Sequence, residues 1–346
     1  MKFLILAGGT GSRLWPLSTP QKPKQFQNFI NDRTLLQQAY DRLNFADKKD
    51  IFVSTNQEYV EIVKAQLPEL TDAQIIAEPT LRDTGPCMAF AIKYLQTLFG
   101  DDETVSIIYA DQLIKNTKEF QEKLLYGHSL AATENKFVVI EVKAKYPNPN
   151  LGYVKIGNLI KQDGEIEIYE LDHFTEKPDY ETAKKFVESY KYLWNTGFYI
   201  WKTGVFLEQI AQHAPEIDKV LNQISDFSNC LSQYENFPRI SLDYALMEKM
   251  DPKQVLIIPA ELGWSDIGTW NTLYEEMVDE IGNNLTEGEI HHLETKNSII
   301  INKEPNKKVV LINIDNLVVV NTPEEILICH KSEDKRIKEI LEKFKN

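Results

Sequence analysis

Residues 3–7 form an apolar run that breaks at once into Gly8-Gly9-Thr10-Gly11. Arg13 follows directly, and Lys22 and Lys24 stand shortly after it. Glycines lack a Cβ, so their backbone N–H groups can close around an anion. Arg13 adds a planar fork for phosphate oxygens, and Lys24 adds a mobile point charge. A strand that delivers such a loop at its carboxyl end is where an open α/β sheet binds its ligand. A phosphate-bearing ligand is therefore expected on the N-terminal segment. Two other glycine motifs are excluded. A Walker loop needs a Gly-Lys pair, and none stands here; a dinucleotide fingerprint needs a third glycine where Leu14 stands.

The rest of the chain fits such a sheet. Strands are expected at residues 3–6, 51–54, 75–77, 105–109, 137–142, 153–156, 198–201 and 255–259, with helices at 34–43, 58–67, 85–98 and 118–132. This alternation predicts an α/β fold: a mostly parallel sheet, helices on both faces and right-handed crossovers. Residues 145–200 are turn-rich, with a loop at Pro147-Asn148-Pro149-Asn150, and read as an inserted layer. After residue 282 the pattern changes to short β-rich runs at 298–301, 309–312, 317–320 and 326–329, followed by an amphipathic helix at 333–344. Two domains are expected, 1–282 and 283–346, the second small, β-rich and ending in a helix.

The length of 346 residues suits one large α/β domain with a small partner. A net charge of −14 argues against nucleic acid as the main partner, because duplex binding needs many cationic phosphate contacts. Cys87, Cys230 and Cys329 have no zinc-type spacing and read as reduced thiols of a cytoplasmic protein. The basic, apolar start stops at Gly8, too soon for a signal peptide. No segment approaches the roughly 20 apolar residues of a membrane span.

Further motifs follow in a fixed order. They are Arg13-Leu14-Trp15-Pro16-Leu17-Ser18, Pro23-Lys24-Gln25-Phe26, Glu78-Pro79, Tyr109-Ala110-Asp111 and Gly152-Tyr153-Val154. Then come Phe174-Thr175-Glu176-Lys177-Pro178, Trp194-Asn195-Thr196-Gly197, Ser241-Leu242-Asp243-Tyr244-Ala245 and Gly263-Trp264-Ser265-Asp266-Ile267-Gly268. This set resembles the sugar-1-phosphate nucleotidyltransferases, and the Arg-Leu-Trp-Pro-Leu-Ser form resembles the mannose-1-phosphate guanylyltransferases. The resemblance implies a Rossmann-like (GT-A-like) sheet and a short β-helix-like tail. It implies transfer of GMP from GTP to a sugar 1-phosphate, with mannose 1-phosphate the expected sugar, Mg²⁺ the cofactor and a homodimer the family habit. Neither nucleic acid nor membrane is an expected partner.

The resemblance carries over to named positions. Arg13, Lys24 and Lys177 are expected to act on the phosphates. Leu6, Ala7, Gly8, Gly9, Thr10, Gly11 and Ser12 would line the nucleotide, with Thr84, Gly85 and Pro86 bringing backbone close to the base. Glu78 is the candidate for base selection, because a carboxylate can accept both N1–H and N2–H of guanine. Asp111 and Asp266 are the candidate metal ligands; paired carboxylates with substrate phosphates are the usual way to hold Mg²⁺. Asp111 would also meet the nucleotide and Asp266 the sugar. Gly152, Tyr153, Glu176, Lys177 and Asn195 complete the sugar set, with Tyr153 either stacked on a ring or packed. Asp243 is a weaker candidate than these, since its motif also reads as a helix start capped by Ser241.

The chain departs from the family pattern at Gln112, usually His, at Asp83, usually Asn, and at Gly85, usually Ala. These departures keep another sugar or base open. A silent regulatory subunit is the other alternative, against which the joint retention of Arg13, Lys24, Asp111, Asp266 and Glu176 stands. A glycosyltransferase would want an Asp-x-Asp motif, which Asp111-Gln112-Leu113 does not supply.

Overall fold

The structure is a computed structural model that describes residues 1–9, 11–29 and 31–344, with Ser12 described by its backbone alone. The chain forms two compact bodies. The first is Met1–Gly8, Ala39–Ala110 and Ile114–Trp264; the second is Gly9–Gln38, Asp111–Leu113 and Ser265–Asn346.

The first body is built on nine strands: β1 (Lys2–Leu6), β2 (Ile51–Asn56), β3 (Ile75–Glu78), β4 (Thr104–Tyr109), β5 (Phe137–Lys143), β6 (Tyr153–Asp163), β7 (Ile166–Thr175), β8 (Tyr192–Lys202) and β9 (Val255–Ala260). Their order is β3-β2-β1-β4-β8-β5-β9-β7-β6. Only β7 and β8 run against the rest, so the sheet is mostly parallel. β1 is buried along its whole length, as a strand covered on both faces must be. Past its end, Ala7 N donates to Ser54 O (2.7 Å) and Thr55 Oγ1 donates to Ala7 O (2.9 Å). These bonds hold the entry to the glycine loop against β2.

The expected turn-rich layer at 145–200 is more regular than the sequence suggests. It contains the long β6–β7 hairpin, turning at Gly164 (φ +61°), and the helix Tyr180–Ser189. The outer half of β6 is exposed, so it carries no apolar alternation to reveal a strand. The helix Thr84–Phe99 follows β3 and is capped by Asp83, whose Oδ1 accepts from Thr84 N (2.7 Å). Asp83 sits at φ +72° and ψ 177°, a strained backbone that glycine alone adopts readily, held here by the cap.

The second body holds a coiled β unit: β10 (Leu285–Glu287), β11 (Ile290–Leu293), β12 (Ile299–Asn302), β13 (Val309–Ile312), β14 (Leu317–Asn321) and β15 (Ile326–His330). β10, β12 and β14 pair in parallel, β11 pairs in parallel with β13, and β15 returns antiparallel on β14. Successive coils stack equivalent asparagines: Asn297 on Asn316, and Asn302 below Asn321 (2.7 Å). Asn297 and Asn316 both turn the chain at positive φ, +53° and +58°. The inward residues Ile299, Ile301, Val318 and Val320 share one core with Leu14, Leu113, Ile267, Trp270 and Ile337. That core is why the segments 9–38 and 111–113 cluster with the β unit. Trp270 Nε1 donates to Trp15 O (3.1 Å), and Asp334 Oδ2 accepts from Asn271 N (2.7 Å). The expected last helix is a 3₁₀ turn, Lys331–Arg336, followed by the helix Ile337–Phe344. Among the described residues no helix is long and apolar enough to cross a membrane.

Candidate active site

In the second body, the glycine loop folds against the Pro-Lys-Gln-Phe segment. Gly11 sits at φ +56°, and a Cβ there would lie 2.3 Å from Lys24 Cβ, so no side chain fits. Gln25 Nε2 donates to Gly9 O (2.8 Å). Lys24 is only 4% exposed, yet its ammonium meets oxygens from two places far away in sequence. It donates to Asp111 Oδ2 at 3.2 Å and to the Asp266 carbonyl oxygen. Ile267, beside Asp266, is held at φ +41°, an uncommon and strained backbone for a β-branched residue. Gly268 leaves open a point 2.6 Å from Asp266 Oδ2 and 3.4 Å from Arg13 Nη1. Among the described residues Arg13 has no ion-pair partner. Arg13, Lys24, Asp111 and Asp266 thus share one body, which places two cations beside two carboxylates. Thr10 lies outside the described residues, and Ser12 contributes only backbone, in the 3₁₀ turn Ser12–Leu14.

In the first body, Leu6 and Ala7 are buried at the end of β1, and Gly8 meets Glu78. A Cβ on Gly8 would lie 3.1 Å from Glu78 Oε1. Glu78 closes β3 and is 2% exposed; its Oε2 accepts from the Tyr234 hydroxyl at 2.7 Å. Burial pushes its carboxyl pKa up, while the hydrogen bonds from Tyr234 and Cys87 pull it down. The Thr84-Gly85-Pro86 turn is tied inward. Gly85 N donates to Ile240 O (3.0 Å), and Thr84 Oγ1 accepts from Leu242 N (3.0 Å). A Cβ on Gly85 would come within 2.7 Å of Ile240 O, so alanine there would require the backbone to shift.

A third group gathers near the start of β6, also in the first body. Gly152 approaches Glu176 so closely that a Cβ would lie 2.5 Å from its Oε2 and 3.1 Å from Asn195 Cβ. Glu176 pairs with Lys177, which sits at φ +46°. Burial, and next the Asp243 charge, drive the Glu176 carboxyl up to about 7 against the pull of Lys177. Burial draws the Lys177 ammonium down, but the Glu176 bond and charge outweigh it and leave it raised. Asn195 Nδ2 donates to Tyr199 Oη (2.8 Å) and to Asp243 Oδ1 (3.1 Å), and the Tyr199 hydroxyl donates to the same Oδ1 (2.9 Å). Tyr153 is fully buried, and its hydroxyl both accepts from Asn148 N (2.8 Å) and donates to Asn148 O (3.2 Å). It is a packed tyrosine with no ring face left for a sugar.

Sequence reasoning missed Tyr234, Cys87 and Tyr199 as neighbours of the expected residues and ranked Asp243 as a weaker candidate whose motif also reads as a helix start. The segment Asp243–Met247 is a wide helical turn, and Ser241 Oγ does accept from Tyr244 N (3.4 Å). The carboxylate itself points to Asn195 and Tyr199. A signal for Asp243 was present in Ser241-Leu242-Asp243-Tyr244-Ala245; none marks Tyr234. Trp194, Trp264 and Trp270 are buried.

The Nucleotidyl transferase family pattern matches residues 2–281, and that of the MannoseP isomerase/GMP-like beta-helix domain matches residues 288–344. The mannose-1-phosphate guanylyltransferase ManC of Salmonella typhimurium is 31% identical over 353 residues, covering 99% of this chain and 72% of that protein. The alginate biosynthesis protein AlgA of Pseudomonas syringae pv. tomato is 32% identical over 357 residues, covering 98% of this chain and 70% of that protein. The crystal structure of a mannose-1-phosphate geranyltransferase from Thermus thermophilus aligns with TM-score 0.88 at 23% identity, covering 100% of this chain and 99% of that one. At that identity the likeness concerns the fold.

Proposed function

The chain belongs to the nucleotidyl transferase family and is an enzyme acting on a sugar 1-phosphate, and from that premise we propose that it joins GTP to α-D-mannose 1-phosphate, giving GDP-mannose and pyrophosphate. The observation that carries this reading is the buried Lys24 ammonium, which joins Asp111 to the backbone of Asp266 in the body that also holds Arg13 and the glycine loop. The sugar phosphate oxygen attacks the α-phosphorus in line, and the P–O bond to pyrophosphate breaks. The attacking oxygen is already anionic, so no general base is needed. Positioning and charge neutralisation then carry the catalysis. Arg13 and the loop amides hold the β- and γ-phosphates. Lys24 and Lys177 neutralise charge that develops around the α-phosphorus.

Asp111 and Asp266 suit a hard divalent cation. Among the described residues no cluster of three or more acidic, His or Cys side chains could form a closed metal cage. A pair of carboxylates completed by substrate phosphates suits Mg²⁺ instead. When bound there, Mg²⁺ would offset the negative charge of the phosphates. Glu78 reads the guanine edge, while Glu176 and Asn195, packed closely on Gly152, receive the sugar. In this reading residues 1–282 carry the catalysis, and 283–346 form the supporting β-rich part. The site of action is the cytoplasm, where the unbonded Cys87, Cys230 and Cys329 stay reduced.

The test is pyrophosphate release with Mg²⁺, GTP and mannose 1-phosphate, with glucose 1-phosphate and ATP as parallel controls. Release confined to the first pair supports reaction, base and sugar together. Release with a different pair keeps the chemistry and overturns the substrate. Silence in every mixture overturns the catalytic reading in favour of a regulatory subunit.

A further inference from the structure

We propose that Tyr234 is a positioning residue for base recognition: its hydroxyl fixes the Glu78 carboxylate so that the remaining oxygen lone pairs meet the guanine edge. This rests on the base-reading role of Glu78. Tyr234 lies 156 residues from Glu78, and both side chains are buried. Its ring cannot swing away, because it packs edge-on against Phe90 (5.0 Å, 88°) and Phe237 (5.0 Å, 78°). The bond therefore holds one carboxylate oxygen at a fixed point. The other oxygen abuts Gly8, at the entry to the glycine loop.

The charge balance around Glu78 makes this bond matter for specificity. The groups acting on it are Tyr234, from the 231–237 segment, and Cys87, from the helix Thr84–Phe99. Cys87 in turn faces Ser54 Oγ (3.7 Å) and feels Asp83, and Tyr234 also feels Cys230. None of these is a cation, so neutral donors alone oppose the rise that burial imposes on its pKa. An ionised Glu78 accepts the N1–H and N2–H of guanine and repels the N1 lone pair of adenine. A protonated Glu78 would instead donate to adenine N1. Tyr234 therefore favours guanine and disfavours adenine through the same bond.

The experiment is calorimetric GTP and ATP binding to the full chain and to Tyr234→Phe, Glu78→Gln, Glu78→Asp and the Tyr234→Phe/Glu78→Gln double variant, at about pH 6 and about pH 8, with melting curves to confirm folding. Loss of one hydrogen bond to a charged group predicts that Tyr234→Phe binds GTP roughly tenfold more weakly. The loss should be larger at the lower pH, with ATP binding not weakened. The double variant should bind GTP no more weakly than Glu78→Gln alone. Glu78→Asp withdraws the carboxylate from the hydroxyl without touching the aromatic cluster and should lose GTP selectivity as well. Additive losses, equal weakening of GTP and ATP, a loss independent of pH, or full selectivity in Glu78→Asp would each overturn the proposal. If Glu78→Gln itself leaves the GTP preference intact, the base-reading role falls and the proposal with it. If Glu78→Gln abolishes the preference and Tyr234→Phe changes nothing, only the proposal falls.

Discussion

The rate of sugar phosphate capture should depend on pH through Glu176. Its carboxyl is driven up to about 7, by burial first and the Asp243 charge next. Only the ionised form offers every oxygen lone pair to sugar hydroxyls. For one proton with that pKa, about a tenth of the molecules are ionised at pH 6, about half at pH 7 and about nine-tenths at pH 8. The kcat/KM for the sugar phosphate is therefore expected to rise roughly tenfold between pH 6 and pH 8. The substrate phosphate loses its own second proton near pH 6 and adds a separate limb. Glu176→Gln separates the two. Its profile should lose the limb near 7, keep the one near 6 and lie lower at high pH. The assay is initial pyrophosphate release at saturating nucleotide and sugar phosphate below KM. Survival of the limb near 7 in Glu176→Gln would refute the assignment. Stability must move the other way. A carboxyl raised on folding favours the folded state at low pH, and that contribution is lost as pH rises from the ordinary carboxylate range through about 7. Wild type should thus lose melting temperature across that window relative to Glu176→Gln.

Three further outcomes follow from the same geometry. Lys24→Ala should lower kcat by roughly 10²–10³ with a much smaller change in KM, as loss of a transition-state contact does; an unchanged kcat in single-turnover assays removes Lys24 from the mechanism. Gly85→Ala places a Cβ 2.7 Å from Ile240 O and should destabilise the fold by about 1–3 kcal/mol in denaturant titration; an unshifted midpoint shows that the segment gives way freely. Chelation by EDTA should stop pyrophosphate release, Mg²⁺ should restore it, and Asp111→Asn should need more Mg²⁺ for half-maximal rate; a rate indifferent to EDTA removes the metal role of Asp111 and Asp266.

The legible part of this chain is what the backbone dictates locally. Strands of a parallel sheet are buried on both faces, so β1, β4, β5 and β9 appear as largely apolar runs, interrupted only by residues such as Ser106 in β4 and Glu141 in β5. Ligands meet such a sheet at strand ends, so Gly8, Glu78 and Asp111 could be singled out from their place just after β1, at the end of β3 and just after β4. Only the start of β6 was legible, at 153–156; its outer half stayed hidden because an exposed strand loses the alternation that marks it. The coil of the tail is legible as a longer repeat. A hexapeptide repeat is absent, but Asn297-Ser298-Ile299-Ile300-Ile301-Asn302 recurs as Asn316-Leu317-Val318-Val319-Val320-Asn321, offset by 19 residues, and the two segments stack in register.

The illegible part is the set of partners that tune the candidate residues. Tyr234 reaches Glu78 across 156 positions, and Asp243 reaches Asn195 across 48. A tyrosine that folds back to a carboxylate looks, in sequence, like any core tyrosine. The same distance in sequence makes such partners free to vary without disturbing the motifs. A nucleotidyl transferase can therefore keep the residues that touch phosphate while the groups behind its base and sugar contacts change. That is where the expected departures from the family pattern stand: Gly85, packed on the Ile240 carbonyl, and Asp83, capping the helix that carries Cys87. Both departures lie within a few residues of the helix that carries the Cys87 contact to Glu78. Selectivity for the base should accordingly respond to substitutions in 83–87 and in 234–242, and the phosphate chemistry of Arg13 and Lys24 should not.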